Sequence, residues 1–447
     1  MKRLYIALAA ILLTGTGVRA QEPKRMSLQD CLDYAMQHNY TVKNAQLDVL
    51  IQKAQNDQTV AIALPQVSGK ADFMYNIKPQ SSFIDASTFN TAYPAKTYVA
   101  AFPFAIDYSS SASVSASQIL FDGSVAVALQ ARNALIELSK QTGKVSEAAV
   151  KYNILKTYYS IIVTYNQLEI LRNSLEYARS LEHDISATNK AGFAERIDVE
   201  RTSVQVNNLV NDSVRVANLA MLTEQVLKYQ MGMDINTPID LADRNLDAHV
   251  ESSVKLLVEQ TEYDRVPEYS LTNTSITLNE YNLKRYKLAA LPTLAAFANY
   301  GYNYGQFKLS KLYDFSEWKD YTIVGLNLTV PIFSGFKRIA QMDETKLNIE
   351  KARNNLDNMK MTIDFQTTQA KTSLRNALVQ LQSQKRNISL ADDVLQLAQK
   401  KYKAGVGSNT EVTQAQTEQL RAQNSYFTTM LDIINAEADL KKALGLL

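Results

Sequence analysis

From about residue 336 to 403, apolar residues recur in steps of three and four. The seam runs from Ile349 through Ile363, Gln366, Ala370, Leu374, Leu381 and Leu395 to Tyr402. That period predicts one long helix of about 100 Å with a coiled-coil seam, and the extra step of four at Ala370–Leu374 predicts a locally unwound stretch. Residues 124–189 predict a second helix of similar length. Elsewhere the period falls to two. Leu294, Ala296, Ala298, Tyr300, Tyr302 and Tyr304 alternate with Asn299, Gly301 and Asn303; Val324, Leu326, Leu328, Val330 and Ile332 alternate with Gly325, Asn327, Thr329 and Pro331. Further upstream, Val67, Ala71, Phe73 and Tyr75 make one such stretch. Tyr98, Phe102, Phe104, Ile106 and Tyr108, continuing through Val114 to Phe121, make another. These are strands with one apolar face. A sandwich in water explains the alternation alone. Tyrosines near the ends of the apolar faces, and Gly, Asn and Ser opposite, fit a barrel with lipid outside and water inside.

The same plan is written twice. AGFAERIDV (191–199) and AGVGSNTEV (404–412) share a frame, 213 residues apart, as do LKYQMG (227–232) and LKKALG (440–445). FDG (121–123) and FSG (333–335) are 212 apart, and ALP recurs at 63–65 and 290–292. Each repeat therefore reads as helix, two strands, a long helix and a returning helix of about 39 residues. The first helix of the first repeat starts at a Ser27/Asp30 capping box and runs to about Ala63. Its counterpart spans about Pro267 to Leu291. Gly192 and Gly405 suit a left-handed helix end, and Asp198 and Glu411 lie near the positive end of the next helix, so both interruptions are hairpin tips. The lengths predict two short helices, stacked end to end, beside each long one. The organisation is a leader at 1–20, a first repeat at 21–232, a connector at 233–265 and a second repeat at 266–447.

The leader has Lys2 and Arg3 before the apolar run LYIALAAILL, and Val18-Arg19-Ala20 before Gln21, the form of an export signal. Removing its three basic residues takes the formal net charge from +2 to −1, which gives no electrostatic case for nucleic acid. Cys31 is the only cysteine, and it sits where a helix would bury it. His38, His183 and His249 have no metal-ligand spacing, and no phosphate loop or nucleophile elbow is present, so neither a cofactor nor a catalytic residue is expected.

Four strands cannot close a barrel, and open edges in lipid cost several kcal/mol per unpaired group, so strands that enter a membrane require several copies of the chain. Taken together, SLQDCLDYAMQHNYTVKNA, the two LP helix ends, ILFDG, PIFSG, the two tips and the terminal ALGLL resemble the TolC-like outer-membrane factors over essentially the whole mature length. The fold implied is mainly α with a membrane β part. A homotrimer would share one 12-stranded barrel, continuing into a long periplasmic coiled-coil tunnel, with 233–265 in an equatorial belt. The resemblance implies an efflux duct in the outer-membrane lipid. Its tips would dock on a periplasmic adaptor (membrane fusion protein), beneath which lies an inner-membrane pump. Carried over by position, the tip residues are Gly192, Phe193 and Asp198, and Gly405, Val406, Gly407 and Glu411. Gln414 stands where better-known members have a second acid, and Gly407 where they have a basic residue, so the same salt-bridge closure is not implied. Glu411 also reads as an ordinary first-turn acid. Two alternatives are a type I protein-secretion channel and, in a different class, an exported coiled-coil structural protein.

Overall fold

The computed structural model describes residues 24–447 except 79, 89–91, 93, 97–98, 104–105, 244–245 and 312–314. The leader, Tyr98 and Phe104 lie outside the described residues. The order is β1 (Lys24–Met26), α1 (Leu28–His38), α2 (Tyr40–Ala61), β2 (Gln66–Tyr75), β3 (Ser81–Asp85), β4 (Val99–Pro103), β5 (Tyr108–Phe121), α3 (Gly123–Lys190) and α4 (Arg196–Met231). It continues with β6 (Ile239–Leu241), α5 (Leu246–Lys255), α6 (Pro267–Leu288), β7 (Thr293–Gln306), β8 (Lys319–Thr329), α7 (Lys337–Lys403) and α8 (Asn409–Ala443). Residues 24–49, 139–273 and 355–447 form one compact unit, and 50–138 and 274–354 a second. No described helix is long and apolar enough to cross a membrane.

In the first unit, Ser27 and Asp30 form the expected capping box. The single helix expected as far as Ala63 is instead two, because Asn39 leaves helical geometry (φ −62°, ψ 130°). Asn39 Oδ1 accepts from the Thr41 and Val42 amides (2.7 and 3.2 Å), while its Nδ2 donates to the Gln230 carbonyl (2.6 Å). One side chain thus satisfies orphan groups at the start of α2 and the end of α4. Gly232 closes this joint in a left-handed conformation, and a Cβ there would lie 2.5 Å from the His38 carbonyl oxygen. Gly445 repeats it at the end of α8, 2.5 Å from the Arg265 carbonyl just before α6. The returning helix of each repeat therefore abuts the short helix of the same repeat, as their lengths predicted.

Along α7, Ile363, Ala370, Leu374, Ala377, Leu381, Leu395 and Ala398 are buried, as the seam predicted. Gln366 is not; Thr367 is buried in its place, 5 % exposed. The extra step of four accordingly lies at Ile363–Thr367 rather than Ala370–Leu374. Two adjacent polar residues gave the periodicity nothing to choose between.

The main core gathers Met26, Ile154, Tyr158, Leu374, Met430 and Leu440, with Cys31 fully buried among them. Connector strand β6 pairs in parallel with β1, and connector helix α5 is fastened to α8 through Glu437, which is completely buried. Glu437 lies 2.8 Å from His249 Nε2 and 2.7 Å from Lys441 Nζ, and it accepts from the Ser253 hydroxyl. The Tyr159 ring of α3 stacks on His249 at 3.9 Å. The first repeat carries the same pair 213 residues earlier: Lys228 lies 2.6 Å from Glu224, which also accepts from the Tyr165 hydroxyl (2.9 Å).

The second unit holds a four-stranded antiparallel sheet ordered β2-β5-β7-β8. Its register aligns the apolar positions. Val67, Ala116, Ala298 and Val324 form one row, and Ala71, Ala112 and Tyr302 another, which meets Asp320 at the end of β8. The opposite face carries Ser68, Ser115 and Asn299, with Ile323 as the β8 member of that row, then Asp72, Ser111, Asn303 and Lys319. Two strand expectations need correction. The stretch from Tyr98 to Phe121 is not one strand: β4 pairs with β3 in a separate hairpin, and β5 begins at Tyr108. The last strand ends at Thr329, short of Val330 and Ile332, because Pro331 has no N–H to give a ladder. The two long helices also start differently. Asp122 Oδ1 caps α3 by accepting from the Ser124 and Val125 amides (2.7 and 3.2 Å). The chain runs into α7 through two left-handed residues, Gly335 and Phe336.

Candidate functional site

Both tips are built by backbone chemistry that the sequence encodes in glycine. At the first, the Phe193 amide donates to the Thr188 carbonyl (3.0 Å) and the Gly192 amide to Asn189 (2.9 Å), ending α3 with Gly192 at φ +83°. At the second, the Val406 and Gly407 amides both donate to the Lys401 carbonyl (3.1 Å each), with Gly405 at φ +73°. Phe193 and Val406 project from the two turns, 87 % and 77 % exposed. Gly407 has a steric reason to be glycine: a Cβ there would lie 2.9 Å from Lys401 Cβ. A basic side chain at this position would push against the last turn of α7. Ser408 caps α8, its Oγ accepting from the Glu411 amide (3.2 Å), whereas Glu195 caps α4 with no side-chain bond.

The structure brings the two tips together through polar hydrogen bonds, with no ion pair between them among the described residues. Asn409, only 3 % exposed, donates its Nδ2 to the Asp198 carbonyl and to Thr202 Oγ1 (3.2 Å each). Arg201 donates to Thr410 Oγ1 (2.9 Å), and Gln205 to Gln416 Oε1 (2.9 Å). Beneath this polar layer lies an apolar cluster of Leu181, Ile185, Leu395, Ala398, Val412 and Ala415, with Tyr402 at its margin. Burial raises the Tyr402 phenol above its ordinary pKa, and the charges of Asp198 and Asp184 raise it further. Asp198 is therefore a member of the tip contact. Glu411 and Gln414 are not: both are exposed on a groove of about 450 Å³ between α7 and α8, lined also by Leu390, Val394, Leu397 and Glu418. A second groove, about 510 Å³, runs between α4 and α8 beside Ile197, Arg201 and Val204, and Gln414 borders it too. Sequence reasoning missed Thr202, Asn409 and Gln416. Their one visible signal was a polar residue at or beside a position where the helical period calls for an apolar one. Among the described residues no cluster of metal-ligating side chains occurs.

The family described as outer membrane efflux protein matches residues 279–446. No curated protein sequence matches the chain. Several solved structures share its fold. The CmeC outer membrane channel of Campylobacter jejuni is 17 % identical with a TM-score of 0.71, over 94 % of this chain and 85 % of that one. The open-state MtrE outer membrane channel of Neisseria gonorrhoeae is 18 % identical (TM-score 0.68, 94 % and 88 % covered). The outer membrane protein VceC of Vibrio cholerae is 14 % identical (TM-score 0.69, 94 % and 96 % covered). Residues 279–446 thus carry an outer membrane efflux protein domain, and the chain has the fold of the TolC-like outer-membrane channels.

Proposed function

We propose that the protein is the passive exit duct of an efflux system in the outer membrane. Three copies would each give four strands to one barrel, and their long helices would form a tunnel into the periplasm. The observation that carries this reading is the sheet: one face is apolar in register, the other is serine- and asparagine-rich, and both edges, β2 and β8, are open. An open edge in lipid is untenable, so the edges must pair between copies. The apolar face also has the right height. Leu294 to Tyr304 spans about 34 Å along the strand, or about 26 Å across the membrane at a 40° tilt, close to the apolar band of such barrels.

On this reading the repeats 21–232 and 266–447 alternate around the tunnel, and the connector 233–265 is a belt on its outside. The tips, with Phe193 and Val406 foremost, would dock on a periplasmic adaptor, itself engaged by an inner-membrane pump. Glu411 and Gln414 would face the entrance, giving a half-charged ring there. Closure would rest on the uncharged Asn409 contacts rather than on salt bridges. No residue is assigned a catalytic role and no cofactor is required. The experiment is planar-bilayer conductance of the detergent-purified mature chain, with its mass taken from the same preparation. A trimer with small discrete openings is expected; a monomer or dimer without conductance would sink the reading. Glu411→Gln should alter cation block of those openings, and unaltered block would remove Glu411 from the entrance.

A further inference from the structure

The first unit exposes two apolar surfaces on different helices. On α7, Met361 and Phe365 are 71 % and 67 % exposed; on α4, Val226 and Tyr229 are 39 % and 77 % exposed. The internal repeat says what each should touch. An offset of 213 carries the lower part of α3 onto α7 and the whole of α4 onto α8, matching Gly192 to Gly405, Glu224 to Glu437 and Gly232 to Gly445.

Within the chain, α3 of the first repeat meets α8 of the second through named contacts. Gln167 Nε2 donates to Asn424 Oδ1 (2.9 Å). The Tyr152 hydroxyl donates to Asp439 (2.6 Å), and Lys442 Nζ lies 5.1 Å from the centre of the Tyr152 ring. Moving each partner by 213, forward from α3 and backward from α8, gives the counterpart pairs. Gln167 with Asn424 becomes Gln380 with Asn211, the same two residue types. Tyr152 with Asp439 and Lys442 becomes Phe365 with Val226 and Tyr229, a polar contact exchanged for an apolar one. All five counterpart residues are exposed in the single chain.

We propose that α7 of one copy docks on α4 of a second copy, with Gln380 bonded to Asn211 and Phe365 seated against Val226 and Tyr229. A ring of alternating repeats needs two junctions, first repeat to second and second to first. The chain supplies the former internally and leaves both halves of the latter bare, and a heterologous contact of this kind closes a ring by rotation. This rests on the trimeric reading above and adds to it the pairs that make the subunit junction.

The test is cysteine cross-linking of the full chain in detergent, with buried Cys31 left in place. Oxidised Gln380→Cys/Asn211→Cys should give two- and three-chain species in denaturing electrophoresis, while each single variant stays at one chain. Gln167→Cys/Asn424→Cys should link only within a chain. A particle of trimeric mass in which the first pair fails to link between chains, while the second links within them, would overturn the docking and leave the trimer standing. A monomeric mass would overturn both. As a separate check, Phe365→Glu changes a side chain exposed in the single chain, so helix content should hold while the assembled fraction falls about tenfold, near 1.4 kcal/mol. Undiminished assembly would count against the contact.

Discussion

Glu224–Lys228 and Glu437–Lys441 are one ion pair written twice, yet their surroundings diverge. Glu224 keeps a fifth of its side chain exposed and takes its second partner, Tyr165, from the neighbouring long helix. Glu437 has no exposure at all, because the connector, which occurs once, lays His249 and Ser253 over it. Duplication reproduced the helical chemistry, and the unduplicated segment decided how deeply it is buried. The consequence is energetic. Burial alone would push the Glu437 carboxyl up, but the hydrogen bond and charge of His249, then the charge of Lys441, hold it down to about 2.

The comparison breaks most visibly at these two carboxylates. Glu437→Gln removes the fully buried charge on which His249 and Lys441 converge and should cost about 3–5 kcal/mol, whereas Glu224→Gln, which strands the buried Lys228 beside a carboxylate still partly in water, should cost less, about 1–3 kcal/mol. Acid provides the second arm. The folded pKa of Glu437 lies below its ordinary value of 4.5, so its stabilisation is full above pH 4.5 and is lost as pH falls toward about 2. That window carries about 3 kcal/mol. Denaturant midpoints of the detergent-solubilised chain between pH 7 and pH 2 read both arms. Equal losses at the two glutamates would show that the connector adds nothing.

Next come the joints, where the repeats agree in one half and differ in the other. Gly232→Ala and Gly445→Ala each force a Cβ into a left-handed residue 2.5 Å from a carbonyl oxygen, and each should cost well over ~1 kcal/mol. Asn39→Ala should cost about 1 kcal/mol as a lost cap. Only the first repeat needs that cap. In the second, Pro267 opens α6 without an N–H, the Tyr269 and Ser270 amides already bond the Val266 carbonyl, and Val266 is buried, so Val266→Asn should gain little. Thermal midpoints of the four variants rank these effects, and a large gain from Val266→Asn would show that the proline is a poor substitute.

The periods of two and 3.5 made the sheet and the long helices legible, since each rests on many residues pointing one way. What stayed hidden depends on single polar side chains. Asn39 breaks a helix because its amide can reach Gln230, 191 residues away in sequence, and no local pattern encodes that reach. The β3/β4 hairpin interrupts an alternation that local period cannot distinguish from one continuous strand. At the tips the glycines announced the turns, and Asp198 was named from the motif alone. Asn409 and Thr202 were overlooked, because a buried polar residue in a helix looks like a solvated one until its partner is placed.

The smallest effect separates the tips themselves. Ser408 caps α8 through its side chain, and Glu195 gives α4 no such bond. Ser408→Ala should therefore cost about 1 kcal/mol, read as roughly fivefold faster amide exchange over residues 409–412, while Glu195→Ala should leave 196–199 almost unchanged. Glu195→Ser sharpens the point, since it offers the first tip the cap it lacks and should slow exchange there by a similar factor. If α4 gains nothing from that serine, its first turn is held instead by Asn409 across the tip contact, and Asn409→Ala should then speed exchange on α4 as well as on α8.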